Sequence, residues 1–156
     1  MTELSLPESL QDVEMVRSVR TPAQLDYVFT PGEAMSLFIL ATEDRKLLAE
    51  RAPGGRVYIP PRGADPELGV PTTEQVEVEH TGTLVSFCMV NVAFYGSQME
   101  LPYTYGWILL DGADMPIMHL IQEIPADEVR IGMRVEAVWE DPENDAPPGL
   151  GQIKWF

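Results

Sequence analysis

Residues 84–94, Leu-Val-Ser-Phe-Cys-Met-Val-Asn-Val-Ala-Phe, come directly after Thr81-Gly82-Thr83. Val85, Phe87 and Met89 alternate with Ser86 and Cys88, the period-two pattern of a chain with one face on a core, so the spacing predicts a long strand over Leu84–Phe94. Further β-like runs lie on either side: Thr72–Val78, Tyr105–Leu110, Ile117–Ile124, Arg134–Glu140 and Gln152–Phe156. Turns separate them at Thr81-Gly82, Asp111-Gly112, Ile131-Gly132 and the acidic, proline-rich Asp141–Gly149. Short runs at this spacing, with no helical pattern between them, point to a mainly β protein with a small barrel rather than a βαβ sheet.

Upstream the pattern changes. Lys46–Arg51, the turn Pro53-Gly54-Gly55 and Arg56–Ile59 read as a hairpin, stopped by Pro60-Pro61. Before it, Ala34, Leu37, Phe38 and Ala41 repeat at helical spacing, with Met35 and Ile39 widening the stripe, which predicts one amphipathic helix over about 31–43. Thr30 is the expected N-cap, with Pro31 at the first helical position and Glu33 placed to close a capping box. The first 29 residues hold no sustained period and read as an extended arm. The expected organisation is an arm at 1–29, a helix-and-hairpin module at 30–71 and a barrel at 72–156, with the proline-rich residues 60–75 as the connecting loop.

Composition limits the function. At 156 residues, 45% hydrophobic and 22% charged, the chain has the size and balance of one globular domain. No window reaches the ~18 apolar residues of a membrane span, and the acidic start lacks the pattern of a signal peptide, so a cytoplasmic protein is expected. A net charge of −15 disfavours nucleic acid and anionic membranes as partners. Residues 43–62 depart from that balance. Arg45, Lys46, Arg51, Arg56 and Arg62 stand there against three acids, a local +2, and are the candidate contacts for a small phosphorylated ligand or an acidic protein surface.

Catalytic signals are weak. There is no phosphate loop and no Gly-x-Ser-x-Gly elbow. Cys88 with His80 or His119 is the one nucleophile–base pairing available, but Cys88 lies mid-strand, where a buried, inert thiol is expected. His119, between Met118 and Leu120, reads as a satisfied strand histidine, and His80 as a turn residue. Glu74, Glu77 and Glu79, and the acids of 141–145, read as solvated faces. Two histidines and one cysteine are too few for a zinc site of the usual kind. Aromatic residues gather at Phe94-Tyr95 and at Tyr103, Tyr105 and Trp107; with Tyr58, residues Phe94, Tyr95 and Tyr103 are the candidate partner contacts.

The order of these pieces is informative: a helix, a basic hairpin, Val57-Tyr58-Ile59-Pro60-Pro61-Arg62, then Gly82–Phe87, Pro102-Tyr103, Leu110-Asp111-Gly112 and Ile131-Gly132-Met133-Arg134-Val135. Over residues 30–140 this resembles the bacterial and archaeal OB-fold family called domain of unknown function thirty-five. The resemblance implies a helix and a rubredoxin-like zinc ribbon ahead of a five-stranded OB barrel. Family members carry two Cys-x-x-Cys knuckles around the Val57–Arg62 run. Here the corresponding segments read Arg51-Ala52-Pro53-Gly54-Gly55 and Asp65-Pro66-Glu67-Leu68-Gly69, so a degenerate, metal-free ribbon is expected, with no cofactor. The resemblance further implies a non-catalytic accessory subunit of a thiolase-superfamily enzyme, with a coenzyme A thioester as ligand of the complex. A free-standing module that binds acyl-CoA or another small anion is the alternative.

Overall fold

A computed structural model describes Glu14, residues 17–19, Thr21, and residues 25–72, 74–93 and 99–156. Most of the expected arm, and Phe94 and Tyr95, lie outside the described residues.

The apolar stripe forms α1 (Gly32–Glu43), which turns Phe38 and Thr42, one helical turn apart, into the interior. Burying Phe38 to 1% exposure is worth about 1.5–3 kcal/mol. The helix cap lies one residue later than expected. Pro31, with φ −72° and ψ −14°, holds the cap position and has no side-chain acceptor, so the Thr30–Glu33 capping box does not form. The basic hairpin forms as β1 (Leu47–Arg51) and β2 (Val57–Tyr58), antiparallel with Arg51 opposite Val57. β3 (Glu74–Val78) pairs along the whole other edge of β1, from Leu47 opposite Val78 to Arg51 opposite Glu74. The first sheet therefore runs β2-β1-β3 across residue 72.

Four further strands, β4 (Thr81–Val90), β5 (Tyr103–Leu110), β6 (Ile117–Ile121) and β7 (Arg134–Glu136), form an antiparallel sheet in the order β6-β5-β4-β7. The expected strand Arg134–Glu140 bends at Ala137. Its second half, β8 (Val138–Trp139), leaves β4 and pairs with β9 (Ile153–Trp155). The chain then closes on β6: Phe156 N–H donates to Leu120 O at 2.9 Å, and Gln122 N–H donates to Phe156 O at 3.0 Å. With β7 and β8 counted as one bent strand, the order β6-β5-β4-β7/β8-β9-β6 is a closed five-stranded barrel, which leaves no long unpaired edge.

The pleat of β4 differs from its sequence reading. The ladder to β5 slips between Leu84 and Ser86, and the extra residue is Val85. Leu84 and Phe87, on either side of the slip, both turn toward the core, whereas Val85, expected inside, is 37% exposed, and Met89, near the end of the strand, is 43% exposed. One hydrophobic cluster joins the helix, the first sheet and the barrel, from Phe38 and Leu47 through Leu84, Ile108 and Leu110 to Ile153 and Phe156. A reciprocal pair of hydrogen bonds adds a polar tie between hairpin and barrel. Val57 N–H donates to Asp114 Oδ2 at 2.8 Å, and Asp114 N–H donates to Val57 O at 2.9 Å.

Candidate functional site

The five cations do not form one patch. Arg45 and Lys46 stand before β1 and Arg51 at its end, and the six-residue separation spans about 20 Å of extended chain. Arg51 Nε meets Glu74 Oε1 at 3.1 Å across the β1–β3 ladder, and Arg56 Nη1 meets Glu67 Oε1 at 2.8 Å. Glu74, which read as part of a solvated face, and Glu67, in the second knuckle segment, thus balance cations that read as a ligand site. Arg45 donates to Glu140 O at 3.2 Å. Arg62 lies over the Tyr58 ring, 5.8 Å from its centroid, and no carboxylate pairs with it among the described residues. It lines a cavity of about 570 Å³ between the start of α1 and the Pro60–Thr72 loop, with Glu33, Glu50 and Gln75 on the other walls.

Of the candidate partner contacts, Tyr58 and Tyr103 are 2% and 4% exposed, inside the chain's own interior, and offer no surface to another molecule. Tyr103 packs edge-on against Tyr105 at 5.6 Å. The most exposed aromatic of β5 is Trp107, at 45%, and the residue opposite it on β6 is Met118, 54% exposed. Met118 carries no signal of its own in the sequence; only the β5–β6 register pairs it with Trp107.

No nucleophile meets a base among the described residues. Cys88 is exposed rather than buried, on the outer face opposite Tyr105, while His119 is opposite Gly106 on the inner face. His119 is satisfied, as its position in the strand predicted. Leu120 N–H donates to Nδ1 at 3.0 Å, which assigns the proton to Nε2, 3.2 Å from Leu150 O. Burial pushes its pKa below the ordinary 6.5, against the raising effect of these two bonds. The unfolded chain therefore binds the proton more readily, and the stability His119 lends above pH 6.5 is lost as pH falls below it. We expect His119→Gln to lose less stability than the wild type between pH 7 and 5, read as the shift in urea midpoint. His80 accepts from Trp139 Nε1 at 3.4 Å and packs edge-on against that ring.

The two motif runs at 110–112 and 131–135 meet in space. Arg134 makes a two-pronged pair with Asp111, Nη1 to Oδ1 at 2.9 Å and Nη2 to Oδ2, and Thr81 Oγ1 donates to Asp111 Oδ2 at 2.8 Å. Arg134 Nη1 also reaches Thr83 Oγ1 at 3.0 Å, so one ion pair pins the ends of β4, β5 and β7. These bonds, Arg134 first and Thr81 second, hold the Asp111 carboxyl at about 2, below its ordinary 3.8. Its stabilisation is present above pH 4 and disappears as pH falls from about 4 to about 2. Asp111→Asn should flatten the profile of thermal midpoint against pH in that window and leave it parallel to the wild type above pH 5.

The two turns at the knuckle positions are built without thiols. Asp65, 3% exposed, accepts from the N–H groups of Glu67 (2.8 Å) and Leu68 (3.3 Å) through Oδ1, and Gly69 N–H donates to Asp65 O at 2.8 Å. Arg56 and Glu67 join one turn to the other. Glu50, 5% exposed on β1, accepts through Oε2 from Gly63 N–H at 3.0 Å and from Thr72 Oγ1. No group of three or more His, Cys, Asp or Glu suited to a metal ion occurs among the described residues. This donor set does not fit the zinc ion that the family resemblance implies.

A short helix-and-hairpin layer sharing its core with a closed five-stranded barrel defines an OB-type protein whose described residues carry no catalytic constellation. Residues 75–140 match the family model described as "ChsH2, C-terminal OB-fold domain". Among solved structures, it matches a chain of an Ltp2–ChsH2(DUF35) aldolase at TM-score 0.59 and 21% identity, over 72% of this chain and 87% of that one. A DUF35-family protein of unknown function from Sulfolobus solfataricus matches at TM-score 0.56 and 15% identity, over 69% and 77% of the two chains. At these identities the likeness is one of fold. No curated protein matches the chain. No helix among the described residues is long and apolar enough to cross a membrane.

Proposed function

We propose that this chain is a non-catalytic, cytoplasmic accessory subunit of a thiolase-superfamily complex, a thiolase, lipid-transfer-type aldolase or acyltransferase, that acts on acyl-CoA. It stabilises the enzyme and helps to form the coenzyme A entrance. The observation that carries this reading is the likeness, over most of both chains, to a chain of the Ltp2–ChsH2(DUF35) aldolase. The lack of a nucleophile–base pair among the described residues supports it, because the chemistry then belongs to the partner.

Of the five cations, Arg62 is assigned the contact with the phosphates of coenzyme A, since it lines a cavity and has no carboxylate partner among the described residues. Lys46, which is exposed, is the second candidate. Arg51 and Arg56 serve the hairpin instead, through Glu74 and Glu67. The ribbon works without metal, its turns held by Asp65, Glu50 and the Arg56–Glu67 pair. EDTA should accordingly leave the thermal midpoint unchanged, and a clear drop would refute the metal-free ribbon.

Co-expression with a thiolase-like protein from the same genome tests the main reading. The two should co-elute on size exclusion, and the enzyme should be less soluble or less active alone. Separate elution together with full activity of the enzyme alone would sink it, as would steady turnover of acyl-CoA thioesters by this chain in isolation.

A further inference from the structure

The outer face of the β4-β5-β6 sheet carries two consecutive rows of cross-strand partners, Ser86–Trp107–Met118 and Cys88–Tyr105–Leu120. None of these six residues is charged, in a chain whose net charge is −15. The inner positions of the same strands, such as Leu84, Ile108 and Ile121, already fill the core, so the outer rows are not needed for folding. Trp107 and Met118 stand nearly half exposed or more at the centre, an apolar surface of the kind that marks an interaction site.

The border selects the occupant. On the β7 side Arg134 is already committed to Asp111. At the other end Glu100, just before β5, and Glu123, just after β6, are exposed acids. A second copy would set these acids against themselves and bring two bodies of −15 together, which opposes self-association. The complementary surface is an apolar depression bordered by lysine or arginine on a different protein.

We propose that this face is the docking surface for the enzyme subunit, with Trp107 as the anchor and Met118 beside it, an assignment that rests on the accessory-subunit reading above. Tryptophan is favoured at the centre of such contacts because it buries a large apolar area while losing few rotamers. Tyr105, in the next outer row, packs edge-on against Tyr103 and is less exposed than Trp107.

The test compares the wild type, Trp107→Glu, Met118→Glu and, on the opposite module, Leu40→Glu, whose side chain on α1 is 58% exposed. Each is titrated against the thiolase-like enzyme used in the co-expression test, and the thermal midpoint of each isolated chain is recorded. The two sheet variants should bind at least about thirty-fold more weakly, the loss expected for a hot-spot residue, while Leu40→Glu binds like the wild type and all midpoints stay unchanged. Should Trp107→Glu fail to fold, Trp107→Ser, which only truncates an outward side chain, takes its place. Wild-type affinity in the sheet variants, or an equal loss in Leu40→Glu, overturns this face as the docking surface and leaves the accessory reading intact. If the wild type itself does not bind the enzyme, both fall; a wild-type dimer split by Trp107→Glu would assign the face to a second copy instead.

Discussion

Glu50→Ala should lower the free energy of unfolding by about 2–4 kcal/mol, the largest effect expected of any polar substitution here, because it leaves one half-buried backbone donor and one buried hydroxyl without an acceptor. A single carboxylate oxygen, Glu50 Oε2, accepts from Gly63 N–H near the start of the Pro60–Thr72 loop and from Thr72 Oγ1 at its end. Both ends of the loop are thus fastened to the middle of β1, at a position only 5% exposed. The loop holds the Asp65 turn and Arg62, so its loosening would spread to the cavity wall. Glu50→Gln keeps an oxygen acceptor of the same reach and should cost about 1 kcal/mol, since hydrogen bonds to a neutral acceptor are weaker than those to a charge. Urea titrations of the two variants check this. A loss below about 0.5 kcal/mol for Glu50→Ala, the range of an ordinary surface change, would mean that the loop is held elsewhere.

The role of Glu50 also marks where the sequence stops being readable. In sequence it is one of three acids among five cations; its partners are a backbone amide and a hydroxyl, brought together only by the return of the chain at residue 72. The hairpin, the helix and most strands are legible because each rests on local periodicity and turn residues, as with Leu47 and Ala49 buried on β1. Val85 fails that reading because a bulge inserts one residue without any signal in side-chain type. The bend at Ala137 is equally silent: Val135 and Val138 continue a plausible single strand, yet the ladder partner changes from β4 to β9. The basic run misleads for a related reason. Five cations close in sequence are spread over the two ends of β1, the hairpin turn and the loop that follows, and the acids that pair with two of them come from later segments. The outer face centred on Trp107 and Met118 is half legible, since aromatic clustering points to β5 but only the register brings in β6.

The second large effect is expected inside the barrel. Gly106→Ala should cost about 2–3 kcal/mol, because a Cβ there would lie 2.3 Å from Leu84 Cδ1 and 2.9 Å from Ile121 Cγ1, in a core without room to give. Leu84 is fully buried and belongs to the cluster shared by hairpin and barrel, so its retreat would disturb both. Leu84→Ala alone should cost about 2–5 kcal/mol through the cavity it leaves. In the double variant the new methyl group occupies part of that cavity, and the two losses should fall short of additive by about 1–3 kcal/mol. Gly82→Ala supplies the contrast. Its Cβ would approach the backbone oxygen of Leu109 to 2.6 Å, and no side-chain truncation can move a ladder carbonyl. Gly82→Ala combined with Leu84→Ala should therefore show no such relief. Strict additivity in the Gly106/Leu84 cycle would contradict the contact on which the barrel's closest packing depends, whereas relief at Gly106 and none at Gly82 would establish that side-chain crowding limits one position and backbone crowding the other.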